Sequence, residues 1–155
     1  MDFPSEANNF QAGHARLIHD SYRRLFGREL IAGAGSDAEL ARLLFYAPFA
    51  VLSHDTAADP VFNYANLKAL ELFECTWDEF CAMPSRLSAE LPDQDERARL
   101  LTEVKNKGCI EDYQGIRISK TGKRFWIDHT RVWNLYDQEN RYLGQAACIR
   151  QWRFL

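Results

Sequence analysis

The sequence has 155 residues, of which 46% are hydrophobic and 26% are charged, and this predicts one domain whose core needs no metal or disulfide. Its 19 Lys and Arg residues nearly balance 22 Asp and Glu residues, for a net charge of -3, which argues against nucleic acid as the main partner. There is no signal-peptide pattern, no apolar run of about 18 residues and no C-x-x-C pair, so we expect a cytoplasmic protein with no membrane partner, no metal site and reduced thiols.

The first half of the chain contains two predicted helices and two predicted short strands. Residues 1–13 show no periodic pattern and are predicted to be flexible. Ser36 and Glu39 form a capping-box pattern, which predicts a second helix, and the apolar runs 49–53 and 61–64 predict strands. The first helix is predicted from apolar residues at helical spacing, which are Leu17, Ile18, Tyr22, Leu25, Phe26 and Leu30.

Signals for three further helices follow the second strand. Asn66 is a good N-cap residue, and Thr76 and Asp93 are each followed three residues later by glutamate, as in a capping box. Gly108 is predicted to end the last of these helices, because glycine readily adopts the backbone conformation that follows a helix. The predicted order is therefore two helices, two strands and then three helices.

Three antiparallel strands are predicted between residues 109 and 152, joined by short polar turns into a meander. Side chains alternate between the two faces of a strand, and both faces here carry apolar residues, so helices must cover the sheet on both sides. This assignment assumes that no bulge near Gly115 or Gly144 shifts the register. The face expected under the first helix carries Ile116, Ile118, Trp126, Val132, Leu143 and Ile149.

This order of elements resembles the PAS fold, and five segments resemble the MEKHLA domain, a PAS relative found in bacterial proteins and in plant homeodomain-leucine zipper proteins. The resemblance implies an α+β fold over residues 14–155, with a five-stranded antiparallel sheet, helices on one face and an N-terminal helical segment covering the other. It also implies a sensory or interaction module. The segments are VFNYAN (61–66), WDEF (77–80), MPSR (83–86), GIRISKTGKRF (115–125) and VWNL (132–135).

The same segments are similar to flavin-binding light sensors of the PAS class, but they differ at the positions that carry the photochemistry. Ser85 stands where those sensors have a reactive cysteine, and a hydroxyl cannot form the thioether adduct; Arg86 alone remains of the pattern. Haem is disfavoured because the helix over residues 93–108 contains no histidine. No cofactor is therefore predicted. The residues that replace the flavin-contacting amides are Arg117, Ile127 and Ala146.

The resemblance turns one face of the meander toward an internal cavity. Two buried arginines on that face would need internal carboxylates, water or an anionic ligand. The histidine of the same face either tunes an anion site or is a hydrogen-bonded core residue. With Arg86, the candidate ligand-binding residues of this face are Arg117, Ile127, His129, Arg131, Ala146 and Cys148.

Two hypotheses for the function follow. In the first, the chain is a PAS-like sensory module that binds a small, anionic molecule in the cavity and signals by associating with a protein partner or a second copy. In the alternative, it is a ligand-free interaction or dimerisation module whose cavity is filled. An enzyme is not expected, because no serine, cysteine or second carboxylate is placed by a motif as a nucleophile.

Overall fold

An antiparallel sheet of six strands forms the centre of the computed structural model, which describes residues 1–155. The α+β fold class and the PAS-like arrangement predicted from the sequence are confirmed. The helices are α1 Ala12–Phe26, α2 Asp37–Phe45, α3 Leu67–Phe73, α4 Trp77–Phe80 and α5 Leu91–Lys107. The strands are β1 Ala50–His54, β2 Phe62–Ala65, β3 Cys109–Ile118, β4 Arg124–Tyr136, β5 Tyr142–Ile149 and β6 Gln151–Phe154.

The strands lie in the order β2-β1-β5-β4-β3, and β6 pairs with the first half of β4. Only five strands were predicted. The last predicted strand is divided at Arg150, so that β5 pairs with the second half of β4 and β6 with the first half, where Phe125 faces Phe154. One long strand, β4, therefore supports two consecutive short ones.

Helices cover both faces of the sheet, as predicted. Helix α1 lies on the outer face, where Ile18 and Tyr22 are buried and the indole nitrogen of Trp133 donates to the carbonyl oxygen of Ile18 over 3.2 Å. Helices α3, α4 and α5 lie toward the opposite, inner face. Helix α1 ends at Phe26 and does not reach Leu30, the last apolar residue of the predicted helix, because Gly27 adopts the left-handed conformation (φ 72°) that terminates a helix. None of the helices is both long enough and apolar enough to cross a membrane.

Three of the predicted helix caps form. The side-chain oxygens of Ser36, Asn66 and Thr76 each accept a hydrogen bond from the backbone nitrogen three residues later. Helix α5 begins earlier than predicted, with Glu90 as its N-cap and a proline in its first turn. A proline is favourable there because the first turn does not use its backbone N–H.

The N-terminal residues, which were predicted to be flexible, pack against the helices. Phe10 is buried, and the ring of Phe3 lies 5.4 Å from the ring of Phe45 and 6.1 Å from that of Trp77. The indole nitrogen of Trp77 donates to the carbonyl oxygen of Met1 over 3.0 Å. Isolated aromatic residues hold this segment, and they form no periodic pattern that sequence analysis detects.

A bulge partway along β4 changes which residues of the strand point to each face of the sheet. Thr130 pairs with Tyr113 and Ile127 with Gly115, so two residues of β4 lie opposite one residue of β3. His129 adopts a left-handed conformation (φ 49°), and the carboxylate of Asp128 accepts a hydrogen bond from its backbone nitrogen over 2.9 Å. Residues after the bulge therefore face the side opposite to the one predicted.

The set of residues expected under α1 is corrected accordingly. Val132 and Ile149 line the inner cavity, because Val132 follows the bulge and Ile149 follows Cys148, the strand partner of the outward-facing Arg131. Leu143 is 38% exposed. Three residues remain on the outer face, only partly buried and outside the main core, and they are Ile116, Ile118 and Trp126.

Candidate ligand cavity

A cavity of about 50 Å³ lies between the inner face of the sheet and helix α5. Such a volume holds roughly three to five water-sized groups, at about 10–15 Å³ each. Ten of its seventeen lining residues are hydrophobic. The other seven lining residues are polar. They include Arg97, Arg117, His54, Gln145 and Thr130.

Arg117 on β3 is a buried cation, with an exposed fraction of only 6%. Its guanidinium donates to the carbonyl oxygen of Ile116 over 2.6 Å and to the hydroxyl of Tyr113. Burial lowers the pKa of Arg117, and the charges of Asp93 and Glu96 offset this only in part. Neither carboxylate forms an ion pair with it. A buried guanidinium without a bonded carboxylate is costly, so this side of the cavity is suited to an anion.

Arg97 on α5 is the second cation of the cavity and was not predicted. It is half-buried and forms neither a hydrogen bond nor an ion pair with the protein. Burial, with a smaller contribution from the positive charge of Arg117, lowers the pKa of Arg97 to about 10. Two guanidinium groups thus border the same small space, and neither forms an ion pair with a carboxylate; Asp93 and Glu96 lie nearby and act on Arg117 only through their charge.

His54 and Gln145 close the cavity where β1 pairs with β5. The ring of His54 places Nδ1 2.9 Å from the carbonyl oxygen of Asp55 and Nε2 3.2 Å from the side-chain oxygen of Gln145. Two facing oxygens favour the protonated ring, whereas burial and the charge of Arg97 lower the pKa of His54. A negative charge beside Arg97 would therefore favour protonation of His54.

Thr130 contributes a free hydroxyl. It is 1% exposed, lines the cavity, and its Oγ1 atom has no hydrogen-bond partner. A buried hydroxyl without a partner costs free energy of about 1–3 kcal/mol. The hydroxyl is therefore available to a bound molecule.

A wider surface cleft of about 480 Å³ opens beside the cavity, between α5 and the loop over residues 55–60. Arg86, one of the predicted site residues, lies in this cleft and pairs with Asp59 over 3.2 Å. Arg97, His54 and Gln145 line both the cavity and the cleft. Leu101 also lines both spaces, so these four side chains lie between the cavity and the surface cleft.

The structure brings together only part of the predicted site. Arg117, Ile127 and Ala146 line the cavity. His129 lies on the bulge with its side chain 68% exposed. Arg131, two residues further on, lies on the outer face, where its guanidinium donates to the hydroxyl of Tyr22.

Cys148 is buried opposite Arg131 on the outer face and does not line the cavity. The bulge at His129 explains these differences, because it moves Thr130 to the inner face and Arg131 to the outer one. One signal was present in the sequence. Asp and His interrupt a strand otherwise rich in aromatic and β-branched residues, which favours a bulge at that point.

The fold places the chain in a known structural class. A PAS domain from Colwellia psychrerythraea superposes with a TM-score of 0.62, at 16% identity, covering 72% of this chain and 92% of that one. An RNA-binding light-oxygen-voltage receptor superposes with a TM-score of 0.64, at 20% identity, over 77% of this chain and 34% of that one. The fold is therefore that of the PAS domains.

The sequence then identifies the family. The profile of the MEKHLA domain matches residues 12–154, and the chain belongs to the MEKHLA family. It is 29% identical over 152 residues to the homeobox-leucine zipper protein HOX29 of Oryza sativa subsp. indica, covering 90% of this chain. It is 22% identical over 142 residues to HOX10 of the same subspecies, covering 91% of this chain. The chain spans 17% of the length of each of these relatives.

Flavin does not fit this cavity. A light-oxygen-voltage domain studied with a flavin analogue superposes with a TM-score of 0.57, at 18% identity, over 75% of this chain and 84% of that one. The cavity of about 50 Å³ is far below the roughly 300 Å³ at which cofactor sites begin. Arg117, Ile127 and Ala146, which the resemblance to flavin-binding light sensors places at the amide positions, line the cavity, and Ser85 is buried.

Proposed function

We propose that this MEKHLA domain is a PAS-like sensory module of the cytoplasm that binds a small anion in the cavity and signals by protein association. The proposal concerns binding and not catalysis. The membership of the MEKHLA family and the PAS fold support a sensory or regulatory role. The main support for an anionic ligand is that Arg117 is a buried cation that borders the cavity and has no carboxylate partner.

Replacing Arg117 with methionine is expected to weaken anion binding about tenfold or more, because a charge-assisted hydrogen bond contributes about 1.5–3 kcal/mol. The variant without ligand should melt at the wild-type temperature or above it, since removing an unneutralised buried charge is often neutral or stabilising. Melting temperature and calorimetric titration against small carboxylates and inorganic anions measure both effects.

Arg131→Met is the matched control for this experiment. Arg131 also belongs to the meander and also contacts a tyrosine hydroxyl, but it lies on the outer face. Its replacement should leave anion affinity unchanged. If no anion stabilises the wild-type protein, or if both variants lose affinity equally, the cavity is not the anion site.

A second candidate function, association without a ligand, is favoured by the outer face of the sheet. Ile116, Ile118 and Trp126 lie there partly exposed, beyond the area that α1 covers. The guanidinium of Arg153 lies over the ring of Trp126 at 5.9 Å. A partly exposed apolar patch beside a cation is suited to a protein partner or a second copy.

Ile118→Glu is expected to abolish self-association if this patch forms a dimer, because the interface would then bury an unpaired charge. Light scattering coupled to gel filtration measures the mass of each variant. Leu91→Glu is the control, because Leu91 is 79% exposed on α5, away from the patch. If the wild-type protein is monomeric at every concentration tested, the patch does not form a homodimer, and only a different protein partner could bind it.

A further inference from the structure

The two guanidinium groups of the cavity are supplied by separate elements that meet only in the folded chain. Arg117 comes from β3 and Arg97 from the middle of α5. Arg97 has no protein partner at all, and Arg117 has only neutral ones. The carboxylates of Asp93 and Glu96 lie nearby and weaken the repulsion between the two cations, but neither is bonded to Arg97 or Arg117, so an anion in the cavity would still find both guanidinium groups available.

An independent observation also indicates a ligand. The hydroxyl of Thr130 is 1% exposed, lines the same cavity and has no hydrogen-bond partner in the protein. A hydroxyl donates one hydrogen bond and accepts two. The cavity therefore offers two cations and one free hydroxyl to the same bound group.

The size and the walls of the cavity restrict the chemistry of that group. About 50 Å³ holds roughly three to five heavy atoms of about water size. A planar carboxylate matches the fork of N–H donors on a guanidinium. Most of the wall is apolar, including Phe62, Phe73 and Ile149. A tetrahedral inorganic anion would place further oxygens against these apolar groups, where they would have no donors.

We propose that the ligand is a small monocarboxylate, with its carboxylate between the guanidinium groups of Arg97 and Arg117, within reach of the Thr130 hydroxyl, and a short apolar chain against the cavity wall. This inference rests on the proposed anion-binding function and names its ligand class. The ligand enters from the surface cleft past Arg97, which lines both spaces. Because no protein group holds the guanidinium of Arg97, that side chain is free to turn toward the incoming carboxylate.

The test compares defined probes at constant ionic strength. Sodium acetate, propionate and butyrate are titrated into the wild-type protein by calorimetry, beside inorganic phosphate, sodium sulfate and propionamide. Propionate is expected to bind at least tenfold more tightly than phosphate or sulfate. Propionamide, which has the same shape without the charge, is expected not to bind.

Arg97→Met is expected to weaken propionate binding tenfold or more. Arg99→Met is the matched control, because Arg99 is exposed on the same helix and does not line the cavity; its affinity should equal that of the wild type. Arg97→Lys keeps the charge but not the fork, so it should bind with an intermediate affinity. Thr130→Val gives a second measurement, because valine has nearly the same shape as threonine but lacks the hydroxyl. This variant should bind propionate several-fold more weakly than the wild type.

The outcomes separate this inference from the proposed function. If no anion binds the wild type, the proposed function fails. If anions bind and Arg117→Met lowers their affinity, the proposed function stands. The inference is nevertheless overturned if phosphate binds as tightly as propionate, or if Arg97→Met and Arg99→Met bind propionate with equal affinity. Weaker binding of propionate in Arg97→Met and Thr130→Val, with melting temperatures near that of the wild type, supports it.

Discussion

Replacing Asn66 with alanine is expected to lower the free energy of unfolding by about 3–5 kcal/mol, among the largest effects of a single substitution. Asn66 is fully buried between β2 and α3. Its side-chain oxygen accepts from the backbone nitrogens of Val51 and Ala69, at 2.9 Å and 3.1 Å. Its side-chain nitrogen donates to the carbonyl oxygens of Leu44 and Phe49, at 3.0 Å and 2.8 Å.

The loss is large because alanine removes four buried hydrogen bonds, and each backbone group left unsatisfied costs about 1–3 kcal/mol. The carbonyl oxygen of Leu44 keeps a bond from the backbone nitrogen of Ala47 at 3.3 Å, so three groups lose their partner. The three costs do not add fully, since neighbouring groups relax together. Asn66→Asp retains both acceptor bonds but turns a carboxylate toward two carbonyl oxygens, so it should also be strongly destabilising. Urea unfolding at neutral pH measures the change.

Asn140→Ala is the control for this prediction. Asn140 is an exposed residue whose side-chain oxygen accepts a hydrogen bond from Arg24 at 2.7 Å. Alanine should lower the free energy of unfolding there by only about 1–2 kcal/mol, mainly because Asn140 has a left-handed backbone conformation (φ 64°) that asparagine tolerates better than alanine. Similar small effects for Asn66→Ala and Asn140→Ala would show that Asn66 does not join α2, β1 and α3 as described.

Replacing Gly144 with alanine is expected to lower the free energy of unfolding by about 3 kcal/mol or more. Gly144 has a φ of 126°, a conformation that other residues rarely adopt, and a Cβ atom there would lie 2.0 Å from the carbonyl oxygen of His54. Overpacking of this kind costs about 1–3 kcal/mol, and the backbone strain costs a similar amount. The clash involves backbone, so no side-chain rotation relieves it.

Gly13→Ala tests the same change where the structure permits it. Gly13 lies near the start of α1, and an added Cβ would meet nothing within 4 Å. Alanine should raise the free energy of unfolding there by about 0.5 kcal/mol. Equal urea midpoints for the two variants would contradict the close approach of β5 to His54. A folded Gly144→Ala protein should also bind anions more weakly, because the clash displaces His54 at the cavity wall.

The sequence by itself determined the elements whose signals are local. Ser36, Asn66 and Thr76 begin helices as predicted, because each side chain caps a backbone nitrogen only three residues away. The apolar stripe of α1 predicted a helix that covers one face of the sheet, and Ile18 and Tyr22 are buried there. The combined motifs predicted the MEKHLA family, which the match over residues 12–154 confirms.

The tertiary structure alone decided which residues line the cavity. A single extra residue at His129 exchanges the two faces of β4, so that Thr130 lies inside and Arg131 outside. The alternation of residues along β4 does not predict this bulge, because the bulge depends on how β4 pairs with β3, and that pairing is not visible in the sequence of β4 itself. Arg97 was missed for a related reason. Helix α5 is rich in charged residues, so in the sequence Arg97 looks like an arginine exposed to solvent. Only the packing of α5 against the sheet places Arg97 beside Arg117.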